Sequence, residues 1–305
     1  MKALIFEGNT KQRNKFITAN DNSPYHKLFI KTIKQVNNNI QCDVAFPTNN
    51  DYKIFSTSDL KKYDYVFWTG SSLNAYDDTP EVLQQIEQAK IVFESGVPFY
   101  GSCWGLQVAV MASGGMVSPC KNGIEIGIAK NIVKTIKAKN HPFLNGRNSK
   151  YNSLCVHSSE TSKIPEGATL LAYNNHSNVQ ALEIKHKKGI FWGVQYHPEF
   201  DSNELLGSIK RNPEKYIEMG ILNYNTTPQE LIDSMVNGYE NDLEENNRLI
   251  EFKNFINYFK MKWMKTKSTN RILSFHSQQK LTHKIKFLII IFLGLLSILL
   301  CVQGM

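Results

Sequence analysis

Two short stretches contain residue types that could act together as a nucleophile and its base. The first is Gly101–Gly105 (GSCWG), which follows an apolar run at 97–100 and precedes an apolar helical pattern. A strand, a tight Gly-x-Cys-x-Gly turn and a helix predict a nucleophile elbow, in which Cys103 is strained and the glycines relieve crowding. The thiol then lies at a helix N-terminus, whose partial positive charge favours the thiolate. The alternative interpretation is a buried cysteine before an ordinary helix.

The second stretch is His197-Pro198-Glu199, which ends an apolar run at 192–196. A cysteine nucleophile needs a base, and the base needs an acceptor that orients its ring. His197 can be the base, and Glu199, two residues on across a rigid proline, can hold the imidazole. The distance along the chain is no obstacle, because such groups meet in space. A single histidine at a strand end is usually structural, but the two motifs together favour a catalytic pair.

The two motifs resemble the signatures of the class I (triad-type) glutamine amidotransferases. Gly101–Gln107 is similar to the nucleophile signature of that family, and Gly193–Glu199 is similar to its histidine signature. Shorter similarities occur at 68–72, 155–160 and 170–172, so the resemblance covers roughly the first 260 residues. Within the family, the chain resembles the amidotransferase domain of GMP synthase. The motifs are specific for the family but not for the compound that receives the ammonia.

The resemblance implies roles for nine residues. Cys103 would attack the side-chain amide carbon of glutamine, His197 would relay the proton to the leaving ammonia, and Glu199 would orient His197. A γ-glutamyl thioester would form and then be hydrolysed by water. Backbone N–H groups would bind the oxyanion, and further groups would hold the substrate. These are Gly70 and Trp104 for the oxyanion, and Gln107, Val156, His157 and Ser158 for the glutamine. The alternatives are plain packing for Gln107 and a surface turn at His157.

We therefore expect an enzyme that hydrolyses glutamine to glutamate and ammonia, with a separate synthetase subunit as a candidate partner that accepts the ammonia. No nucleotide-binding loop and no histidine spacing typical of metal ligands occurs, so we expect no ATP site, cofactor or metal. One alternative is a hydrolase of γ-glutamyl peptides or amines on the same fold, and another is a non-catalytic regulatory or binding protein. A cysteine peptidase is less favoured, because such elbows usually place histidine after the nucleophile, whereas Trp104 follows Cys103.

Apolar runs alternate with helical patterns over the first part of the chain. This predicts an α/β fold with an open, mostly parallel, doubly wound sheet flanked by helices, which is flavodoxin-like and agrees with the family. From 116 to 196, short β-rich runs between Gly, Pro and Asn turns predict a mixed or antiparallel extension. Because active sites gather at the carboxyl ends of parallel strands, we expect Gly70, Cys103 and His197 at one edge. A long closing helix is predicted over 242–263.

Charge and cysteine content narrow the functional classes. The net charge is +8 at pH 7, but residues 260–286 carry eight Lys and Arg and no Asp or Glu, so the remainder is near neutral. A basic tail of this kind does not indicate a nucleic-acid-binding face. The five cysteines are scattered, and an apolar strand in place of a signal peptide occupies the N-terminus. Both features predict a reducing, cytoplasmic compartment.

The last forty residues differ in amino-acid composition from the rest of the chain. We predict an amidotransferase domain over 1–264, a basic linker over 265–286 and a hydrophobic segment over 287–302. The sixteen uncharged residues of that segment would form a helix of about 24 Å, against a hydrocarbon core of about 30 Å. Snorkelling lysines or local thinning of the bilayer would close the gap. A transmembrane anchor with the catalytic domain on the cytoplasmic side is one interpretation, and a non-native extension is the other.

Overall fold

The computed structural model of the protein describes residues 1–20 and 22–264. The strands are β1 (Lys2–Phe6), β2 (Gln41–Ala45), β3 (Tyr65–Trp68), β4 (Phe99–Ser102), β5 (Met116–Pro119), β6 (Glu125–Lys134), β7 (Lys150–His157), β8 (Ser159–Lys163), β9 (Ala168–Tyr173), β10 (Ala181–His186) and β11 (Gly189–Val194). The helices are α1 (Lys11–Ala19), α2 (Tyr25–Val36), α3 (Thr57–Leu60), α4 (Pro80–Ser95), α5 (Trp104–Ala112), α6 (Ser202–Lys210), α7 (Pro213–Glu218), α8 (Pro228–Val236), α9 (Glu240–Leu243), α10 (Glu245–Arg248) and α11 (250–264).

A nine-stranded sheet forms the centre of the fold. Its strand order is β2-β1-β3-β4-β11-β10-β9-β6-β7. The first five strands of this order are parallel, and the remaining four join them antiparallel. A separate two-stranded sheet pairs β5 with β8. This arrangement confirms the predicted α/β fold with a mostly parallel sheet and an antiparallel extension.

Both faces of the parallel region are covered by helices. Side chains of β3 alternate, so Val66 and Trp68 join a core cluster with residues of α4 and α5. On the opposite face, Phe67 stacks on Phe252 of α11 with ring centroids 6.0 Å apart, and Phe29 of α2 lies 5.3 Å from the same ring. A strand that is buried on both faces has a continuous apolar sequence. The sequence therefore predicts β3 and β4.

Parallel pairing brings the two motif-bearing strands into contact. β11 pairs with β4, with Val194 opposite Ser102. The pairing continues into the turn, where the Cys103 N–H donates to the Val194 carbonyl oxygen over 2.8 Å. The carboxyl ends of β4 and β11 therefore lie side by side, and the residues that follow them share one edge of the sheet.

The sequence patterns missed several elements. The polar helix α1 and the strands β5, β7 and β8 were not predicted, and the runs at 124–128 and 132–136 form the single bulged strand β6. The predicted helix over 242–263 is divided into α9, α10 and α11, because Glu244 is extended at φ −54° and ψ 140°. The regular apolar spacing of this segment begins only at Leu249, so the packing that holds a helix on the sheet begins there as well.

The C-terminal predictions fall outside the described part of the chain. The chain divides into two compact units, Met1–Ile256 and Asn257–Met305. In residues 1–20 and 22–264, no helix is long and apolar enough to cross a membrane. The segments 265–286 and 287–302 lie outside those residues, so the linker and the anchor stay predictions, as does the domain boundary at 264.

A buried polar network ties α11 to the strand end that carries His197. The Arg147 guanidinium makes two hydrogen bonds of 2.8 Å with the two carboxylate oxygens of Glu251. The Tyr196 hydroxyl donates to Glu251 over 2.7 Å, and the Tyr151 and Tyr196 hydroxyls lie 2.9 Å apart. Glu251 is fully buried. Because Tyr196 immediately precedes His197, this network fixes the backbone that positions the imidazole.

Replacing Glu251 with Gln should destabilise the fold strongly. The substitution leaves the buried Arg147 charge uncompensated, and breaking a buried pair in this way costs about 3–5 kcal/mol of unfolding free energy. Chemical denaturation of the full chain measures the loss. The matched control is Glu245→Gln on the exposed side of α10, expected to change the unfolding free energy by less than about 0.5 kcal/mol. Equal stabilities for the two variants would contradict the role of the network.

Candidate active site

Backbone crowding at the turn between β4 and α5 sets the geometry of Cys103. An ideal Cβ on Gly101 would lie 2.6 Å from the Gly105 carbonyl carbon, and one on Gly105 would lie 2.6 Å from the Trp68 carbonyl oxygen. Neither position can therefore carry a side chain. Cys103, between them, adopts φ 51° and ψ −102°, a conformation that L residues rarely occupy. The sequence prediction of a strained elbow with two required glycines agrees with this geometry.

His197 is held rigidly in a buried position. Its Nδ1 lies 2.8 Å from Glu199 Oε1, and the Ser102 hydroxyl donates to the same oxygen over 2.8 Å. The Phe200 ring stacks on the imidazole with centroids 4.0 Å apart and planes 12° apart. The His197 and Glu199 side chains are 2% and 0% exposed. The hydrogen bond to Glu199 and the stacked Phe200 ring thus fix the orientation of the His197 imidazole.

The electrostatic environment favours the imidazolium form of His197. Burial lowers its pKa, but the Glu199 carboxylate and the charge of a Cys103 thiolate outweigh burial and raise the pKa to about 10. Nε2 makes no satisfactory hydrogen bond within the described residues, although Cys103 is close enough for its charge to act on the ring. Catalytic hydrogen bonds are often long or poorly aligned before the substrate binds. Below that pKa the ring carries a proton on both Nδ1 and Nε2.

The two expected oxyanion donors flank this pair. Trp104 is the first residue of α5, and the first N–H groups of a helix have no acceptor within it. Gly70 lies against the imidazole, since a Cβ there would be 2.9 Å from His197 Cε1. The loop after Gly70 is held by Ser71, whose hydroxyl donates to the Gly8 carbonyl over 2.9 Å, and by Ser72, whose N–H donates to Asn9 Oδ1 over 2.9 Å.

The four expected substrate-binding residues border the same cavity as Cys103 and His197. The cavity is lined by Gln107, Val156, His157 and Ser158. Gln107 is held in place by donating from Nε2 to the Ser159 carbonyl oxygen over 3.1 Å.

His157 is buried and does not lie on a surface turn. Its Nε2 lies 2.8 Å from Glu125 Oε2, and its Nδ1 lies 3.0 Å from the Ser159 carbonyl oxygen. Burial raises the pKa of Glu125, but the hydrogen bond and charge of His157 outweigh burial and lower it. Both ring nitrogens of His157 are thus committed to protein groups, and the residue supports the cavity wall. Among residues 1–20 and 22–264, no group of three or more His, Cys, Asp or Glu could hold a metal ion.

Several residues of the site were missed by sequence analysis. The Ser102 bond to Glu199 depends on pairing between β4 and β11, and the motif itself gave no signal for it. The helices α1, α2, α6 and α7 also contribute to the cavity. They supply Arg13, Tyr25, Ser208, Lys215 and Tyr216 to its lining. No spacing pattern links these residues to Cys103, because they converge only in the folded chain.

Comparison with known families assigns the chain. The family model for class-I glutamine amidotransferases matches residues 24–212. The chain belongs to this family. Solved structures support the fold: a glutamine amidotransferase from Thermotoga maritima superposes with a TM-score of 0.63 at 17% identity, covering 85% of this chain and 97% of the other.

Relatives of this chain include proteins with different activities. A γ-glutamyl-L-1-hydroxyisopropylamide hydrolase from a Pseudomonas species is 34% identical over 223 residues, covering 72% of this chain and 75% of the relative. γ-Glutamyl peptidase 4 from Arabidopsis thaliana is 28% identical, covering 61% and 72%. A glutamine-hydrolysing GMP synthase from Francisella philomiragia is 26% identical. The match covers 76% of this chain but only 40% of that enzyme. The similarity to GMP synthase predicted from the motifs is confirmed.

Replacing Glu199 with Gln should lower the pKa of His197. In the native protein the imidazole should stay protonated up to a pKa of about 10, and the neutral amide removes the charge that contributes most to raising it. An NMR titration of the ring nitrogens, with Glu199→Gln beside the exposed control Glu87→Gln, measures the difference. The control should titrate like the native protein. A native His197 that loses its proton near 6.5 would contradict the description of this charge pair.

Proposed function

We propose that this chain hydrolyses γ-glutamyl amides by covalent catalysis at Cys103, with His197 as the proton carrier and Glu199 as its orienting acceptor. The observation that carries the proposal is the buried constellation itself. A strained cysteine at a helix N-terminus shares a cavity with a histidine whose far nitrogen is fixed by a carboxylate. This is the arrangement required for an activated thiol nucleophile.

The geometry supports a two-step reaction. The Cys103 thiolate attacks the γ-carbonyl carbon, and the N–H groups of Trp104 and Gly70 stabilise the oxyanion. His197 donates its Nε2 proton to the leaving nitrogen, the C–N bond breaks, and a γ-glutamyl thioester remains on Cys103. Water then attacks the thioester carbonyl and gives a proton to His197. The C–S bond breaks, glutamate leaves, and the imidazolium and thiolate are restored.

Amides with a substituted leaving group are the favoured substrates. The sequence motifs alone favoured glutamine itself, but the Pseudomonas relative, at 34% identity, is named for a substituted γ-glutamyl amide. The cavity also extends beyond Cys103 and His197 to side chains of α1, α6 and α7, where a leaving group larger than ammonia would be accommodated. Both reactions use the same nucleophile, base and oxyanion donors, so they differ only in the leaving group.

The second candidate is glutamine hydrolysis that supplies ammonia to a separate synthetase subunit. It is supported by the family assignment and by the similarity to GMP synthase. A purely regulatory or binding role is the least supported, because Cys103 and His197 line one cavity and Glu199 is hydrogen-bonded to His197.

The Cys103→Ala variant should lose more than about 10³-fold in kcat/KM, because no other group supplies the nucleophile. Release of ammonia or amine is measured with the full chain on glutamine, γ-glutamyl-ethylamide and γ-glutamyl-alaninol. The matched control Cys42→Ala, at a cysteine outside the cavity, should keep native activity. A higher kcat/KM for the substituted amides supports the first candidate, and a higher value for glutamine supports the second. Retained turnover in Cys103→Ala would refute both.

A further inference from the structure

We propose that the cavity of this enzyme selects γ-glutamyl compounds whose leaving group carries a carboxylate, that is, γ-glutamyl amino acids. Two cationic side chains, Arg13 of α1 and Lys215 of α7, line the same cavity as Cys103 and His197. We call Arg13 and Lys215 the cationic wall. The inference rests on the proposed hydrolysis of γ-glutamyl amides and specifies the part of the substrate that leaves.

We assign the cationic wall to the side of the cavity where the leaving group departs. The leaving nitrogen must face His197, which gives it a proton. The Tyr25 ring lies 6.4 Å from the His197 ring, and it also lines the cavity. Burial raises the pKa of the Tyr25 hydroxyl to about 12, while the nearby charges of Arg211 and Arg13 act to lower it. The charge of Arg13 thus acts on Tyr25, which lines the same cavity and whose ring lies near His197.

The glutamyl half of the substrate has a different set of candidate contacts. Gln107 and Val156 line the cavity beside Cys103, and the sulfur of Cys103 lies 3.8 Å from the Val156 carbonyl oxygen. These groups are neutral. We therefore assign the neutral groups to the glutamyl half of the substrate and the two cations to the departing amine and its substituents.

No carboxylate neutralises the cationic wall within the described residues. The Arg13 guanidinium lies over the Phe16 ring, 5.3 Å from its centroid, and neither Arg13 nor Lys215 forms an ion pair in the described part of the chain. Glu214, Lys215 and Glu218 of the short helix α7 are all exposed to solvent, but of these three only Lys215 lines the cavity. The wall therefore retains its positive charge towards the cavity.

A third cation increases the positive potential behind the wall. Arg211 is only 7% exposed, its Nη1 donates to Asn22 Oδ1, and its Nε has no partner among the described residues. Burial lowers the pKa of Arg211, and Arg13 lowers it further. The carboxylate that acts on it is Glu204, which forms no ion pair in the described residues and whose own pKa is raised to about 6 by burial and Asp201. A substrate carboxylate at the wall would compensate the half-buried charge of Arg13 and the buried charge of Arg211.

The test compares two substrates that differ only in this charge: γ-glutamyl-glycine and its neutral analogue γ-glutamyl-glycinamide. The native full chain should show a kcat/KM about ten- to a hundredfold higher for γ-glutamyl-glycine, as expected for a hydrogen bond between charged groups. Arg13→Gln and Lys215→Gln should each reduce this ratio. The control Lys11→Gln, on the same helix as Arg13 but not in the lining of this cavity, should preserve it.

The outcomes separate this inference from the proposed function. A native ratio near one, with both compounds hydrolysed, would overturn the selection of a carboxylate and leave the hydrolase standing. An equal loss on both substrates in Arg13→Gln and Lys215→Gln would show that the wall binds the glutamyl α-carboxylate instead, which also overturns the inference. If neither compound is hydrolysed by the native chain, the proposed function itself fails. Lys215 is exposed, so its variant remains informative if Arg13→Gln does not fold.

Discussion

The site depends on the close approach of three backbone segments. β3, the end of β4 and the first turn of α5 approach so closely that two glycines are required, and Cys103 between them is forced into a rarely occupied conformation. The packing of α5 on the sheet stabilises that conformation, as does the hydrogen bond from the Cys103 N–H to the Val194 carbonyl oxygen. The strain, of the order of 1–3 kcal/mol, is thus balanced by core packing that has no direct part in chemistry.

The pairing of β4 with β11 also brings the proposed catalytic groups next to the residues that hold them in place. Because the two strands are in register, Ser102 reaches Glu199 and completes the fixation of His197. The Tyr196–Glu251–Arg147 network holds the end of β11 from the other side. The site consequently needs no flexible loop to bring its nucleophile and base together, and its electrostatics follow from burial and from one carboxylate beside one imidazole.

The sequence was sufficient for the parts of the fold whose cause is local. Buried parallel strands read as apolar runs, Pro80 indicates the start of α4, and the elbow motif reflects a backbone constraint that only glycine satisfies. The sequence was insufficient where long-range packing decides. α1 has little apolar periodicity, so neither the helix nor the placement of Arg13 could be predicted. The division of the predicted 242–263 helix depends on Glu244, whose extended conformation no propensity would indicate.

The same distinction between local and long-range causes applies to the residues of the site. The motifs identified Cys103, His197 and Glu199, whose spacing within each stretch is short, and the family resemblance located Gly70 and Gln107. The leaving-group side is assembled from α1, α2, α6 and α7, which are separated along the chain by as much as 200 residues (Arg13 to Lys215). Single-sequence reasoning has no signal for such a convergence, and this is the part of the cavity to which we assign the proposed substrate choice.

The covalent intermediate is the most direct test of this account. The native chain would be mixed with a γ-glutamyl amide, quenched in acid within milliseconds, digested and analysed by mass spectrometry. The account predicts one γ-glutamyl group attached through a thioester to Cys103, formed before glutamate appears and absent when His197 is replaced by Ala. Turnover without any acyl-enzyme, or a γ-glutamyl group on another residue such as Cys120, would contradict it.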